Sequence, residues 1–360
     1  MMPPRRIGNA WPRVLCPWPG CLPPTVGVRG AERVLHIADR RPDDAHDEVG
    51  AALGLLTDAP TPEHYRQVSV GLDSLVDADA LEAAADIRPT VIVMHPQRES
   101  LIAPEVVGEL RELSDPSCVI VQWTGDQHYE PADAAQRWFV DLGRVCDTSL
   151  VVNTRHPYEY AELGVQHPGF LEVGIDETLW RPAAPTPGTP AIVCLANAYA
   201  QFDYRTRDQA FAAVHAAFPG EFAVYGQGWE GGSLPWRPFV QPDDTPGIYS
   251  AARAVLSISI RADLPRYTSN RLLYALGCGA VVLVERFPDL EGLGLEPGVN
   301  CLLWEGVSGL LDEVQHVLCT RPEDWLALRA AARELALGAH TWRVRMGELQ
   351  AIVDAVRSDR

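Results

Sequence analysis

The segment Thr268-Ser269-Asn270-Arg271, which runs into 272–278 and closes on Gly277 and Gly279, is built for anion chemistry. Thr268, Ser269 and Asn270 are all helix N-cap types, 272–278 is long enough for about two helical turns, and the two glycines end them. Free backbone N–H groups and the positive end of the helix dipole gather at such a start, and Arg271 adds a full charge, so a phosphate group suits it. The other reading is an ordinary helix–strand unit with a solvated arginine. Asp126, in Trp123-Thr124-Gly125-Asp126, follows an apolar run and has the chemistry of a general base for a hydroxyl; it is alternatively an Asx-type cap. His95, at the end of another apolar run, is a second base candidate or a structural histidine. In Tyr225-Gly226-Gln227-Gly228-Trp229 the glycines allow close backbone approach and Trp229 could stack on a nucleobase, a tight turn with a core tryptophan being the alternative. Asn197, Tyr199, Arg205 and Arg207 follow the run 191–195, where such folds meet phosphate; the alternative for Arg207 is a solvated charge opening the next helix. His340-Thr341-Trp342 is read as fixing the last helices, without chemistry.

These residues need strands and helices to hold them, and the chain supplies both in alternation. Strands are predicted at 34–37, 68–70, 90–94, 118–122 and 149–152, with helices ending at 56 and spanning 78–85, 104–113 and 132–142. A Pro-rich stretch at 181–190 reads as a stiff linker. The alternation then restarts with strands at 191–195, 221–225, 254–258, 280–283 and 301–304 and helices at 206–217, 246–254, 309–318, 322–338 and 342–356. Near-continuous apolar strands alternating with helices predict an α/β fold of two doubly wound parallel sheets, in which ligands bind beyond the carboxyl ends of the strands. The expected division is an irregular arm at 1–30, a first domain at 31–182, a second at 191–338 and a terminal helix at 339–360.

The 360 residues carry a formal net charge of −18, and all 30 basic residues are arginine. An acidic surface disfavours nonspecific nucleic-acid or anionic-membrane attachment, and the lack of lysine excludes Schiff-base and Walker-type lysine chemistry. The eight cysteines have no metal or redox spacing and read as reduced thiols. No signal peptide or membrane span is apparent, so the cytoplasm is the expected compartment.

The block 270–280, then Phe287-Pro288-Asp289-Leu290-Glu291, Gly298-Val299-Asn300, Leu303-Trp304 and His340-Thr341-Trp342 with Arg345, resembles the C-terminal half of GT-B glycosyltransferases, closest to spore-maturation-like members and their phage and environmental relatives. The stretches 191–199 with Arg207 and 222–229 look like the first strand–loop units of that donor-binding domain. Gln122 to Asp126, Asp147 with Val151-Val152-Asn153, and Val173-Gly174-Ile175-Asp176 are similar to the acceptor-side pattern. The resemblance implies two Rossmann-like domains facing a cleft, with a final helix returning to the first. It also implies a nucleotide-sugar donor, UDP- or GDP-linked, held mainly by the second domain through Ser269, Asn270, Arg271, Tyr274, Asn197, Tyr199, Arg207, Gly226, Gly228 and Trp229, with no bound cofactor or metal. Asp126 or His95 would serve as base toward a hydroxyl acceptor. One departure stands out: a glutamate pair eight positions apart contacts sugar and ribose in many retaining relatives, whereas Arg266 and Tyr274 occupy those positions here. Ribose recognition then falls to Tyr274 or a carboxylate such as Glu285. Two alternatives accompany this reading: a phage-type enzyme glycosylating a hydroxymethylated DNA base, which the net charge disfavours and which would act in a host cytoplasm, and a non-catalytic nucleotide-sugar-binding module.

Overall fold

Short apolar runs, buried along nearly their whole length, form the strands in this computed structural model. The structure describes residues 30–39, 46–58, 61–70, 77–96, 102–125, 130–131, 133, 137–198 and 205–360. Two compact units divide the chain: residues 1–172 with 346–360, and residues 173–345.

In the first unit, β1 (Val34–Asp39), β2 (Tyr65–Val70), β3 (Val91–His95), β4 (Val119–Trp123), β5 (Thr148–Val151) and β6 (Pro168–Phe170) form one parallel sheet in the order β2-β1-β3-β4-β5-β6. Helices α1 (His46–Leu53), α2 (Asp77–Ile87), α3 (Val106–Leu113), α4 (Arg137–Val145) and α5 (His156–Glu162) connect them. Sequences such as VIVMH and VIVQW are buried throughout, as expected of a sheet covered on both faces. The terminal residues belong to this unit: Arg357 donates both Nη groups to Glu32, at 2.6 and 2.8 Å, and Gln350 Nε2 donates to Glu32 Oε1 at 3.0 Å. The return of the last helix to the first sheet is thus realised.

The second unit contains β7 (Ile192–Leu195), α6 (Arg205–Ala217), β8 (Phe222–Tyr225), β9 (Trp236–Arg237), α7 (Thr245–Ala251), β10 (Ala254–Ser257), α8 (Asn270–Gly277), β11 (Val282–Glu285), β12 (Leu302–Trp304), α9 (Gly306–Cys319) and α10 (Leu326–Ala339); α11 (Trp342–Ser358) starts in it and ends in the first. Its parallel sheet runs β12-β11-β10-β7-β8-β9, the strand order of a dinucleotide-binding fold. Strand order reverses between β7 and β10 here, and between β1 and β3 in the first sheet. Those switch points are where consecutive loops part company and leave room for a ligand.

Several expectations shift. The strands β6 and β9 and helix α5 were not expected, and α4 lies at Arg137–Val145 where 132–142 was predicted, residues 132 and 134–136 being outside those described. The Pro-rich stretch falls inside the second unit, tied to α7 by Thr186 N donating to Gly247 O and Ala183 N donating to Ser250 Oγ, each at 3.0 Å. The expected N-terminal arm lies outside the described residues, apart from Gly30.

Candidate functional site

At the switch point of the second sheet, β7 leads toward α6 and β10 leads through a loop to α8. Ser269 is the N-cap of α8, with extended φ −87° and ψ 151°, yet its side chain makes no cap hydrogen bond, and its Oγ is buried without a partner. A serine N-cap normally satisfies one of the orphan N–H groups of the first turn. Arg271, the second residue of the helix, donates Nη2 to Ile258 O at a long 3.4 Å, while its Nε is buried without a partner. Arg207 reaches the same carbonyl from α6, Nη2 to Ile258 O at 3.4 Å, and donates Nη1 to Asn197 O at 3.3 Å. Two guanidinium groups converge on one carbonyl oxygen at the positive end of a helix. Their charge reaches Cys194, whose thiol burial pushes up while both arginines oppose the shift. No carboxylate pairs with Arg271 among the described residues, so the arrangement supplies concentrated positive charge and unfilled donors.

The helix is held from its far end. Gly279 takes the left-handed φ of 63°, Gly279 N donates to Leu276 O at 2.9 Å and Ala280 N to Ala275 O at 3.0 Å, the paired bonds of a Schellman ending. Arg329 donates Nε to Gly279 O at 2.8 Å, and Arg333 donates to Gly277 O, placing cations at the negative end of the dipole. Asn270 Nδ2 donates to Tyr274 Oη at 3.4 Å, and the Tyr274 ring lies flat on Trp180, 3.7 Å between centroids at 9°.

The loop before α8 is pinned by an unusual pair. Arg266 and Asp289 both adopt left-handed backbone, φ 60° and 58°, and Arg266 Nε donates to Asp289 Oδ2 at 2.6 Å while Arg266 N donates to Pro288 O at 3.0 Å. With side-chain exposure of only 3%, Arg266 is part of the frame. Glu285, at the end of β11, is different: one carboxylate oxygen is buried without a partner, and burial pushes its carboxyl up to about 7 although Arg207 opposes the shift.

The glycine-rich turn after β8 serves the fold. A Cβ at Gly226 or Gly228 would run into the carbonyl oxygens of Ala196 and Ala198, and the two loops are stitched by Asn197 Oδ1 accepting from Gln227 N at 2.9 Å and Ala198 N donating to Gln227 O at 2.8 Å. Trp229 takes the core alternative: it packs on Phe211, 5.5 Å between rings, and donates Nε1 to Ala196 O at 2.6 Å, leaving no open face for a nucleobase. Of the predicted second-unit residues, Arg271 and Arg207 therefore converge on Ile258 O, Ser269 stands at the N-cap of the same helix start, Asn270 and Tyr274 lie along that helix, and Gly226, Gly228, Trp229 and the Asn197 side chain support the scaffold. Tyr199 lies outside the described residues.

In the first unit, His95 stands at the carboxyl end of β3, at that sheet's switch point. It is buried between His36, 6.4 Å away and near-parallel, and Trp123 at 4.8 Å; Trp123 Nε1 donates to Leu171 O at 3.0 Å. His36, which also meets Tyr65 Oη at 3.3 Å, had no signal in the sequence beyond a polar residue inside an apolar strand. Asp126 lies outside the described residues. Glu130, His156 and Glu159 bring their ligand atoms within 4.8 Å of one another, but the Arg155 guanidinium already bridges the two carboxylates at 3.2 Å each, so a cation occupies that position in the form of a side chain.

Residues 205–351 match the model of a family described as glycosyl transferase-like. In fold the chain is similar to HepE from Anabaena in complex with UDP and glucose, with TM-score 0.64 and 12% identity over 90% of this chain and 100% of that one. It is similar likewise to sucrose-phosphate synthase from Thermosynechococcus elongatus, with TM-score 0.63 and 14% identity over 91% and 100%, and to a glycosyltransferase from Rickettsia africae, with TM-score 0.62 and 8% identity over 91% and 99%. Comparison with curated proteins gives no match. Residues 205–351 are thus similar to a glycosyl transferase-like family, and the fold shared across nine-tenths of the chain is the GT-B architecture.

Proposed function

We propose that the protein transfers a sugar from a nucleoside-diphosphate donor to a hydroxyl-bearing acceptor, with the diphosphate held at the switch point of the second unit. The observation that carries this reading is that the first turn of α8 holds two buried, unpartnered polar atoms, Arg271 Nε and the Oγ of its N-cap Ser269. A diphosphate offers acceptors to both and balances the charge that Arg271 and Arg207 concentrate there. As the bond between the anomeric carbon and the diphosphate oxygen breaks, negative charge grows on that oxygen, and fixed guanidinium and helix-start donors stabilise it without reorganisation. In this reading the clamp is cationic protein and needs no metal. HepE of Anabaena has been seen with UDP-glucose, which supports a UDP-sugar as the first donor to try, with GDP-sugars next.

The acceptor oxygen gives up its proton as it bonds to the anomeric carbon, and we assign that proton to His95 or Asp126 in the first unit. Within the class, the block 270–280 supports placement beside the spore-maturation-like members. A nucleic-acid acceptor is disfavoured by the net charge of −18. No described helix is long and apolar enough to cross a membrane, and the described cysteines are free thiols, which supports the cytoplasm as the working compartment. Mass spectrometry of UDP- and GDP-sugars incubated with the protein tests the activity: donor cleavage or transfer is expected. Asp126→Asn or His95→Gln should lower turnover by about a hundredfold or more while leaving donor affinity within about threefold. Full transfer by both variants contradicts the base assignment, and absence of any cleavage contradicts the enzymatic reading.

A further inference from the structure

The register of the second sheet places together two groups that the diphosphate clamp does not use. Glu285 ends β11, Trp304 ends β12, and they are direct partners across this parallel pair, so their side chains leave the sheet on the same face. Trp304 is 3% exposed, and its Nε1 is buried without a hydrogen-bond partner; so is Oε2 of Glu285. Two strand-end residues in register, one with an unused donor and one with an unused acceptor, are costly unless something completes them. Below them the same face is closed by Leu283 and Leu302, which share one apolar core cluster with the Trp304 ring, so a group completing the polar atoms comes from beyond the strand ends.

The chemistry of the pair defines what fits. An indole N–H gives a hydrogen bond and a carboxyl oxygen takes one, and a hydroxyl is the small group that does both. Burial raises the Glu285 carboxyl to about 7, and Arg207 is the charge that opposes it, while Arg286 and Glu305 beside the pair form an exposed ion pair at 3.4 Å. This is a surrounding for a neutral polar group. Two other polar side chains of the loop and helix before β11 are engaged elsewhere, Arg266 with Asp289 and Tyr274 against Trp180.

We propose that Glu285 and Trp304 together receive hydroxyl groups of the donor, those of its ribose or of the sugar being transferred. The proposal rests on the reading of the second unit as a nucleotide-sugar site. Calorimetric titration of the full chain tests it, comparing wild type, Glu285→Ala and Trp304→Phe with UDP, 2′-deoxy-UDP, UDP-glucose, GDP, 2′-deoxy-GDP and GDP-mannose. Each variant should weaken the bound donor about tenfold. If the pair takes the ribose, UDP or GDP loses affinity as much as its sugar conjugate and the 2′-deoxy form loses little. If it takes the sugar, only the conjugate loses. A wild type that binds while Glu285→Ala binds equally well overturns this inference and leaves the diphosphate site standing; a wild type that binds none of the probes overturns both. Should Trp304→Phe fail to fold, Glu285→Ala carries the test alone.

Discussion

At Ser269, residue type and residue use part company. A serine at a helix N-cap contributes about 1 kcal/mol when its oxygen caps the first turn, but here the oxygen makes no such bond. Ser269→Ala should therefore change thermal stability by no more than a few tenths of a kcal/mol and weaken UDP binding about fivefold. A melting temperature lowered by several degrees with unchanged affinity would return the serine to a purely structural role. Arg271 was legible because its charge sits beside cap residues in the sequence. Trp304 was not: it closes an apolar strand and lies in the same core cluster as Trp229, and only the register with Glu285 and the unmet Nε1 mark it out. Trp229 shows the converse, an aromatic beside glycines that suggested base stacking and that the core has taken up.

The elements were legible where burial is two-sided. Runs such as those of β3, β4, β7, β10 and β11 announce themselves because a strand covered on both faces has no polar alternation to dilute the signal. The edge strands β6 and β9, three and two residues long, are too short for any period and exist only because a neighbour offers them a ladder. The turn after β8 is likewise tertiary in origin. Gly228, at φ 84°, faces Ala198 O, so Gly228→Ala should cost about 2 kcal/mol or more, read as a lowered urea midpoint, while the folded fraction keeps its UDP affinity within about threefold. Lost affinity in a fully folded variant would show that the glycine meets ligand after all.

For the whole molecule, two αβ units were legible and their division was not. Composition marks a Pro-rich linker at 181–190, whereas contacts assign it to the second unit and cut the chain before Val173. Proline content reports stiffness, not what a segment packs against. Each unit carries its own acid sensitivity. In the first, burial would raise Glu32, but hydrogen bonds from Arg357, Thr90 and Gln350 win and hold its carboxyl at about 2 against an ordinary 4.5. A depressed carboxylate contributes stability that is complete above the unfolded value and is lost as pH falls through the folded one, so this contribution should fade between about pH 4.5 and 2. Glu32→Gln, which leaves Arg357 half-buried without its carboxylate, should cost on the order of 3 kcal/mol at neutral pH and flatten that acid limb in a denaturation series. In the second unit, burial and Arg345 lower His340 to about 3 from 6.5; because the folded form stays neutral, its contribution is lost as pH falls from about 6.5 toward 3. Glu285 runs the other way: raised to about 7, it favours the fold at low pH and loses that contribution as pH rises through 7.

The central claim is that the start of α8 holds a nucleoside diphosphate, and the most direct measurement is calorimetric titration of UDP and GDP into wild type and Arg271→Ala at low salt. Wild type should bind at least one of them, and the variant should bind it at least about thirtyfold more weakly, as expected when a charge-assisted contact to phosphate is removed. Equal affinity in the two proteins would contradict the claim.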